Sequence, residues 1–215
     1  MIDRIEKKFL LKKSIINEFI NFIEIKKKMK RHFINRKIHS IYLDNQNERN
    51  VIENLNGFAK RFKIRFRWYN QNQKKVFHEI KIKKGNKTEK IIKQINFQNN
   101  ILDVLKKGNL DKYLDKEFTY QEKFFPVCLV AYQRAYYINN FCRLTIDNDI
   151  RYFNINNNKL NTNYIKEDFV IIELKFNEIA FDDFSDFNMN FGSLINVRMS
   201  KYMRARSYFL NFEYF

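Results

Sequence analysis

The residues best equipped for chemistry are arginines and lysines set two apart. Within residues 60–68, Arg61, Lys63, Arg65 and Arg67 alternate with Phe62, Ile64, Phe66 and Trp68. A period of two marks a strand with unlike faces, whereas a helix would scatter both sets around its surface. Like charges repeated about 7 Å apart on one face repel one another unless an anion lies among them. The pattern recurs. Glu79, Lys81 and Lys83 oppose His78, Ile80 and Ile82; Tyr132 and Arg134 oppose Ala131 and Gln133. Arg143, Thr145 and Asp147 oppose Cys142, Leu144 and Ile146; Ile171, Glu173 and Lys175 oppose Val170, Ile172 and Leu174. Many cations with a few carboxylates suit phosphoryl transfer: cations neutralise phosphate oxygens, and carboxylates hold a bridging divalent metal. A hard oxygen site of this kind suits Mn²⁺ or Mg²⁺.

Other chemistries lack their parts. The four glycines, Gly57, Gly85, Gly108 and Gly192, form no phosphate-cradling loop. His32, His39 and His78 have no zinc spacing, and no Ser-His-Asp set can be assigned. Cys128 and Cys142 are too few for a disulfide framework and read as small buried hydrophobes in a reducing compartment.

The elements that must position these groups are mostly strands. Residues 2–10 alternate, with Arg4, Glu6 and Lys8 on one side. Ser14 reads as the N-cap of a helix carrying Ile15, Phe19, Phe22, Ile23 and Met29, and the basic run 26–31 reads as its solvated C-terminal end. A strand is expected over 38–44, then a short helix at 48–55 stopped by Gly57. Strands follow over 60–68 and 76–84. Residues 87–97 fit a strand or a helix start, and 100–125 carry two helical patterns parted at Gly108-Asn109. Strands over 127–137 and 142–147 flank a hairpin loop at 138–140; an Asn-rich loop over 154–163 precedes a strand at 169–176. Residues 181–215 read as largely helical, with a break at Gly192-Ser193.

The chain of 215 residues is 45% hydrophobic, with 23 Phe and 12 Tyr, which makes it a globular chain and excludes a disordered basic tail. No linker or repeat divides it, so residues 1–215 are expected to form a single domain. The net charge of +17 implies a polyanionic partner. No apolar run approaches the ~20 residues of a membrane span, and the N-terminus lacks a signal-peptide layout. A soluble, cytoplasmic protein is expected. Charge on one side and large aromatics on the other suit an α+β fold: a closed antiparallel β-barrel of about eight strands with a charged lumen and helices packed outside.

In order along the chain, R-I-E-K-K-F at 4–9, S-I-Y-L-D at 40–44, R-F-R at 65–67 and E-I-K at 79–81 precede Y-Q-R at 132–134. R-L-T-I-D at 143–147, I-E-L-K at 172–175 and S-K-Y at 200–202 complete the series. This series resembles the VTC domain, the polyphosphate polymerase branch of the triphosphate tunnel metalloenzymes. The resemblance implies a tunnel in which the γ-phosphoryl of ATP passes to a growing inorganic polyphosphate chain. It implies catalytic roles for Lys8, Arg65, Arg67, Lys81, Arg134, Arg143 and Lys201, and substrate binding by Tyr132, Arg198 and Ser200. It implies Glu173 as ligand of Mn²⁺ or Mg²⁺. A further basic residue matches Lys90 or Lys87. Two departures stand out: Arg4 replaces the first Glu of the broader E-x-E-x-K pattern, and Arg198 stands where Lys is expected. The same scaffold also serves metal-dependent hydrolases of tripolyphosphate or of nucleoside and RNA 5′-triphosphates, and a non-catalytic polyphosphate or nucleic-acid binding module is the third reading. Nucleic acid is disfavoured because a lumen cannot meet a duplex. The resemblance implies that family members often sit in larger membrane-bound assemblies with sensor and transmembrane parts, and it leaves open whether a separate subunit supplies them here.

Overall fold

The structure, a computed structural model, describes residues 4–85, 87–114, 122–177 and 194–214. Strands greasy on one side and charged on the other can bury the greasy side only by pairing edge to edge beneath a cover. Ten do so in one antiparallel sheet: β1 (Arg4–Lys12), β2 (Lys30–Asp44), β3 (Lys60–Tyr69), β4 (Lys75–Lys84), β5 (Lys87–Asn96), β6 (Phe125–Ile138), β7 (Cys142–Asn156), β8 (Lys159–Lys166), β9 (Phe169–Asn177) and β10 (Ile195–Asn196). Their order is β10-β1-β9-β7-β6-β2-β3-β4-β5, with β8 paired to β7.

Among the described residues, two helices cover the apolar side. In α1 (Ile16–Ile25), Phe19 and Ile23 are fully buried and cluster with Phe9, Leu11, Leu144, Ile172 and Leu174. In α3 (Ile101–Lys106), Ile101, Val104 and Leu105 cluster with Ile64, Phe66, Trp68, Ile80 and Ile82. These are the apolar phases of the strands, as the alternation requires.

The third cluster corrects the expectation that all helices pack outside. Tyr202, Met203 and Ala205 of α4 (Lys201–Leu210) join Tyr42, Cys128, Val130, Tyr132, Ile150 and Ile171. Tyr42 alternates with Ile41 and Leu43, which lie under α3, so α4 occupies the charged side of the sheet. The Tyr202 hydroxyl donates to fully buried Asp44 at 2.5 Å. A bulge makes room for this helix: the β6–β7 register slips between Ala131 and Gln133, and Asp149 adopts φ 51°. Thr145 and Asp147 therefore face inward before the slip, and Ile150 and Tyr152 after it.

The expected barrel of about eight strands is a curled sheet of ten, and no backbone ladder joins β5 to β1 or β10 among the described residues. The curl is nonetheless deep. Lys81 of β4 lies within electrostatic reach of Glu6 and Lys8 on β1 and of Glu173 and Lys175 on β9. Glu79 and Asp147, 4% and 0% exposed, would stand in water on a flat sheet.

Several local expectations change. Ser14 falls within a 3-10 turn at Lys13–Ile15 and provides no side-chain cap to α1. Of the basic run, Lys30 and Arg31 already belong to β2. Residues 87–96 are a strand. The Asn-rich segment is a β7–β8 hairpin whose Asn157 and Asn158 take φ 48° and 60°, a conformation asparagine tolerates well. The short helix after β2 is α2 (Arg49–Leu55), followed by Gly57 at φ 68°. The second helical pattern of 100–125 is a 3-10 turn at Leu110–Tyr113, and residues 115–121 lie outside the described residues. So do residues 178–193, the first part of the expected C-terminal helical stretch.

Candidate active site

The inward face is built in rungs. Across β3, β4 and β5, Lys63 pairs with Lys81 and Lys81 with Lys90, and the next rung sets Arg65 against Glu79. Three lysines abreast are mutually repulsive. Glu79 relieves part of that: its Oε2 accepts from Arg65 Nε at 2.8 Å, with Lys90 Nζ at 3.1 Å and Arg67 at 3.9 Å. Burial pushes the Glu79 carboxyl up, but Arg65, Arg67 and Lys90 outweigh it and hold the pKa at about 2. Arg67 also donates to Ser40 Oγ at 3.1 Å and to the Tyr132 hydroxyl at 3.4 Å, while Arg65 reaches Tyr42 at 3.0 Å.

Lys63 has no carboxylate partner among the described residues and donates to Ser200 Oγ at 2.8 Å. Burial, then Lys8 and Lys81, push its ammonium well below the usual lysine range. Burial likewise lowers Lys81 and Lys90, although Glu6 and Glu79 respectively oppose it. Burial is the largest cause for all three, and neighbouring cations add to it.

A second centre is Asp147 on β7, clasped by Arg134 at 2.5 and 2.7 Å and by Lys201 at 2.5 Å. Lys201 is the first residue of α4, where a cation works against the helix dipole. Asp147 compensates for it. The Tyr132 ring lies beneath both cations, 5.4 Å from Arg134 and 4.7 Å from Lys201.

The third centre is a carboxylate pair. Glu173 and Glu6 share the Lys175 ammonium, at 2.7 and 3.5 Å, and Lys8 stands 3.1 Å from Glu6. Lys8 also donates to the Met199 carbonyl at 3.2 Å. Burial raises the Glu173 carboxyl, but Arg134, Lys175 and Lys8 overrule it and hold it well below the carboxylate range. Thr145, opposite Glu173 in register, has a buried hydroxyl with no hydrogen-bond partner among the described residues. Two close carboxylates bridged by an ammonium, beside a free hydroxyl, fit a hard cation. Among the described residues no three carboxylate, His or Cys side chains gather as a metal cage. Phosphate oxygens and water would supply the remaining ligands, as is usual for Mg²⁺.

Of the sequence-derived set, Lys8, Arg65, Arg67, Lys81, Lys90, Tyr132, Arg134, Glu173, Ser200 and Lys201 converge on this face. Lys90 reaches Glu79, whereas Lys87 pairs with Lys84 at the far end of the hairpin. Arg143 has the right phase but is exposed, opposite Lys175 at the open end. Arg198 is exposed and is not drawn into the cluster; its carbonyl accepts from Tyr214 at 3.3 Å. Lys63, Lys175, Ser40 and Tyr42 were not singled out as site residues. The alternation of Lys63 with Phe62 and Ile64 was the available signal for the first.

The chain matches the VTC domain family over residues 3–210. It belongs to the VTC domain family. No curated protein matches it by sequence. Among solved structures, an adenylyl cyclase candidate of Hippeastrum, HpAC1, reported with a dominant triphosphatase activity, superposes with a TM-score of 0.59 at 15% identity, over 96% of each chain. The PH1819 protein of Pyrococcus horikoshii gives 0.51 at 16% identity, over 96% of this chain and 99% of its own. An adenylate cyclase candidate of Vibrio parahaemolyticus gives 0.52 at 11%, over 94% and 97%. At such identities the likeness bears on fold alone. The VTC domain here thus has a curled antiparallel sheet whose charged side is turned inward.

Proposed function

We propose that this VTC domain, taken as one domain over residues 1–215, is an ATP-dependent polyphosphate polymerase whose curled sheet encloses a phosphate chain. The observation that carries the reading is the charge balance of the inward face. Among the described residues, Lys8, Lys63, Arg65, Arg67, Lys81, Lys90, Arg134, Lys175 and Lys201 meet only Glu6, Glu79, Asp147 and Glu173. The surplus awaits an anion of several charges. ATP binds with its triphosphate across the Lys63–Lys81–Lys90 rung. The terminal oxygen of the growing chain forms a bond to the γ-phosphorus, the bond from that phosphorus to the β–γ bridging oxygen breaks, and ADP leaves. Arg65, Arg67 and Arg134 spread the charge on the transferring group. Glu173 and Glu6 would hold Mn²⁺ or Mg²⁺, which when bound neutralises phosphate oxygens. Lys175 would give up its place between the two carboxylates. With ATP as donor the reaction belongs in the cytoplasm. No described helix is long and apolar enough to cross a membrane.

The test is incubation of the purified protein with ATP and Mn²⁺, with products resolved on a gel. Long-chain phosphate that disappears in Glu173→Ala is expected. Free phosphate without chains would replace this reading by the hydrolase one. Metal-independent binding without turnover would make the domain a binding module.

A further inference from the structure

Beside the ionic lumen lies a cluster with a different chemistry, which the phosphate reading leaves unused. Arg36 on β2 faces Arg134 across the β2–β6 ladder, so it continues the inward row beyond the Asp147 clamp. Unlike Arg134, it has no carboxylate partner among the described residues. Its guanidinium lies over three rings instead: Phe33 at 5.2 Å, Tyr69 at 5.8 Å and Tyr136 at 5.8 Å. Phe33 and Tyr136 meet edge to face at 5.6 Å, and His32 leans on Phe33 at 4.0 Å. Phe33 is 47% exposed, so a large ring is held out in water. The register of β2 slips on both sides of Phe33, which takes it out of the simple alternation and lets it approach Arg36. Tyr136 is continuous with the lumen. It shares the inward phase of Tyr132 and Arg134, and its hydroxyl is within electrostatic reach of both.

An exposed aromatic ring with a half-buried guanidinium packed on it, beside the proposed phosphate site, is what a nucleobase stacks on; any base offers a π-face, and stacking is tolerant of its identity. An inorganic phosphate chain has no use for such rings. We infer that Phe33, Tyr136 and Arg36 form the platform on which the nucleobase of the donor nucleotide rests while its triphosphate enters the lumen. The inference rests on the proposed triphosphate site and adds the base subsite to it. The platform favours nucleoside triphosphates over inorganic tripolyphosphate without strong choice among bases.

Equilibrium binding separates the two claims. The full chain is titrated with a non-hydrolysable ATP analogue and, separately, with inorganic tripolyphosphate. Phe33→Ala and Tyr136→Ala are expected to weaken the analogue by about 5- to 10-fold each and to leave tripolyphosphate unchanged. Phe33→Trp should retain the analogue, which a merely structural loss of Phe33 would not explain. Equal weakening of both ligands, or of neither, overturns the base platform while the lumen site stands. Absence of tripolyphosphate binding to the unaltered chain overturns the lumen reading, and the platform with it.

Discussion

Arg65 does two things at once: it holds Glu79 at 2.8 Å and Tyr42 at 3.0 Å while presenting charge to the lumen. A single lysine ammonium is a point charge and cannot keep both contacts in the plane of one group. Arg65→Ala should cut chain formation by about 100-fold or more, as loss of other preorganised electrostatic groups does. Arg65→Lys should recover only part of it; equal activity in all three proteins would remove Arg65 from the chemistry. Glu79 carries the acid sensitivity. Its folded pKa of about 2 lies below the ordinary 4.5, so its contribution is present above pH 4.5 and is lost as pH falls towards 2. For a buried carboxylate a shift of this size is linked to about 3 kcal/mol. Asp147 and Glu173 are shifted in the same direction. Urea unfolding followed from pH 5 downwards should show falling stability, and Glu79→Gln should flatten the slope. An unchanged slope would show that Glu79 is not so paired in solution.

At the scale of elements, α4 decides the shape of the site. It fills one end of the charged side with Tyr202, Met203 and Ala205, and Ser200 just before it and Lys201, its first residue, deliver contacts to β3 and β7. Asp44 anchors it. The carboxylate accepts from Asn45, Asn50 and Val51 backbone N–H groups as well as from Tyr202, yet burial still raises its pKa. Removing one donor from a buried acceptor costs about 1–3 kcal/mol. Tyr202→Phe should therefore destabilise the protein by that amount in chemical denaturation. If α4 were a loosely attached helix, the midpoint would not move.

The whole molecule bears an unbalanced interior. Cations brought together by the curl repel one another in the free protein, and a multivalent anion converts that repulsion into attraction. Tripolyphosphate at about 100 times its Kd should add about 2.7 kcal/mol of stability. It should raise the thermal midpoint far more than sulfate at equal ionic strength. Equal effects of the two anions would mean that general screening, and not a built site, is at work.

Alternation is a local property, and by itself it determined which residues of each strand share a face: Arg61 to Arg67 against Phe62 to Trp68, and Glu173 and Lys175 against Ile172 and Leu174. The ordered short motifs were enough to mark nine of the residues that now converge, and left Lys90 as an alternative to Lys87. What lay beyond the sequence is everything that depends on distant segments meeting. Lys63 and Ser200 are 137 residues apart and Lys8 and Met199 are 191 apart, and no local pattern encodes such contacts. The side on which α4 packs could not be read either, because a helix with buried Tyr, Met and Ala suits either face of a sheet. The bulge at Asp149 and the slips around Phe33 shift strand phase without a strong residue signature. Only the tertiary fold, by curling the sheet around its charged side, decided which cation finds a carboxylate and which is left waiting for phosphate.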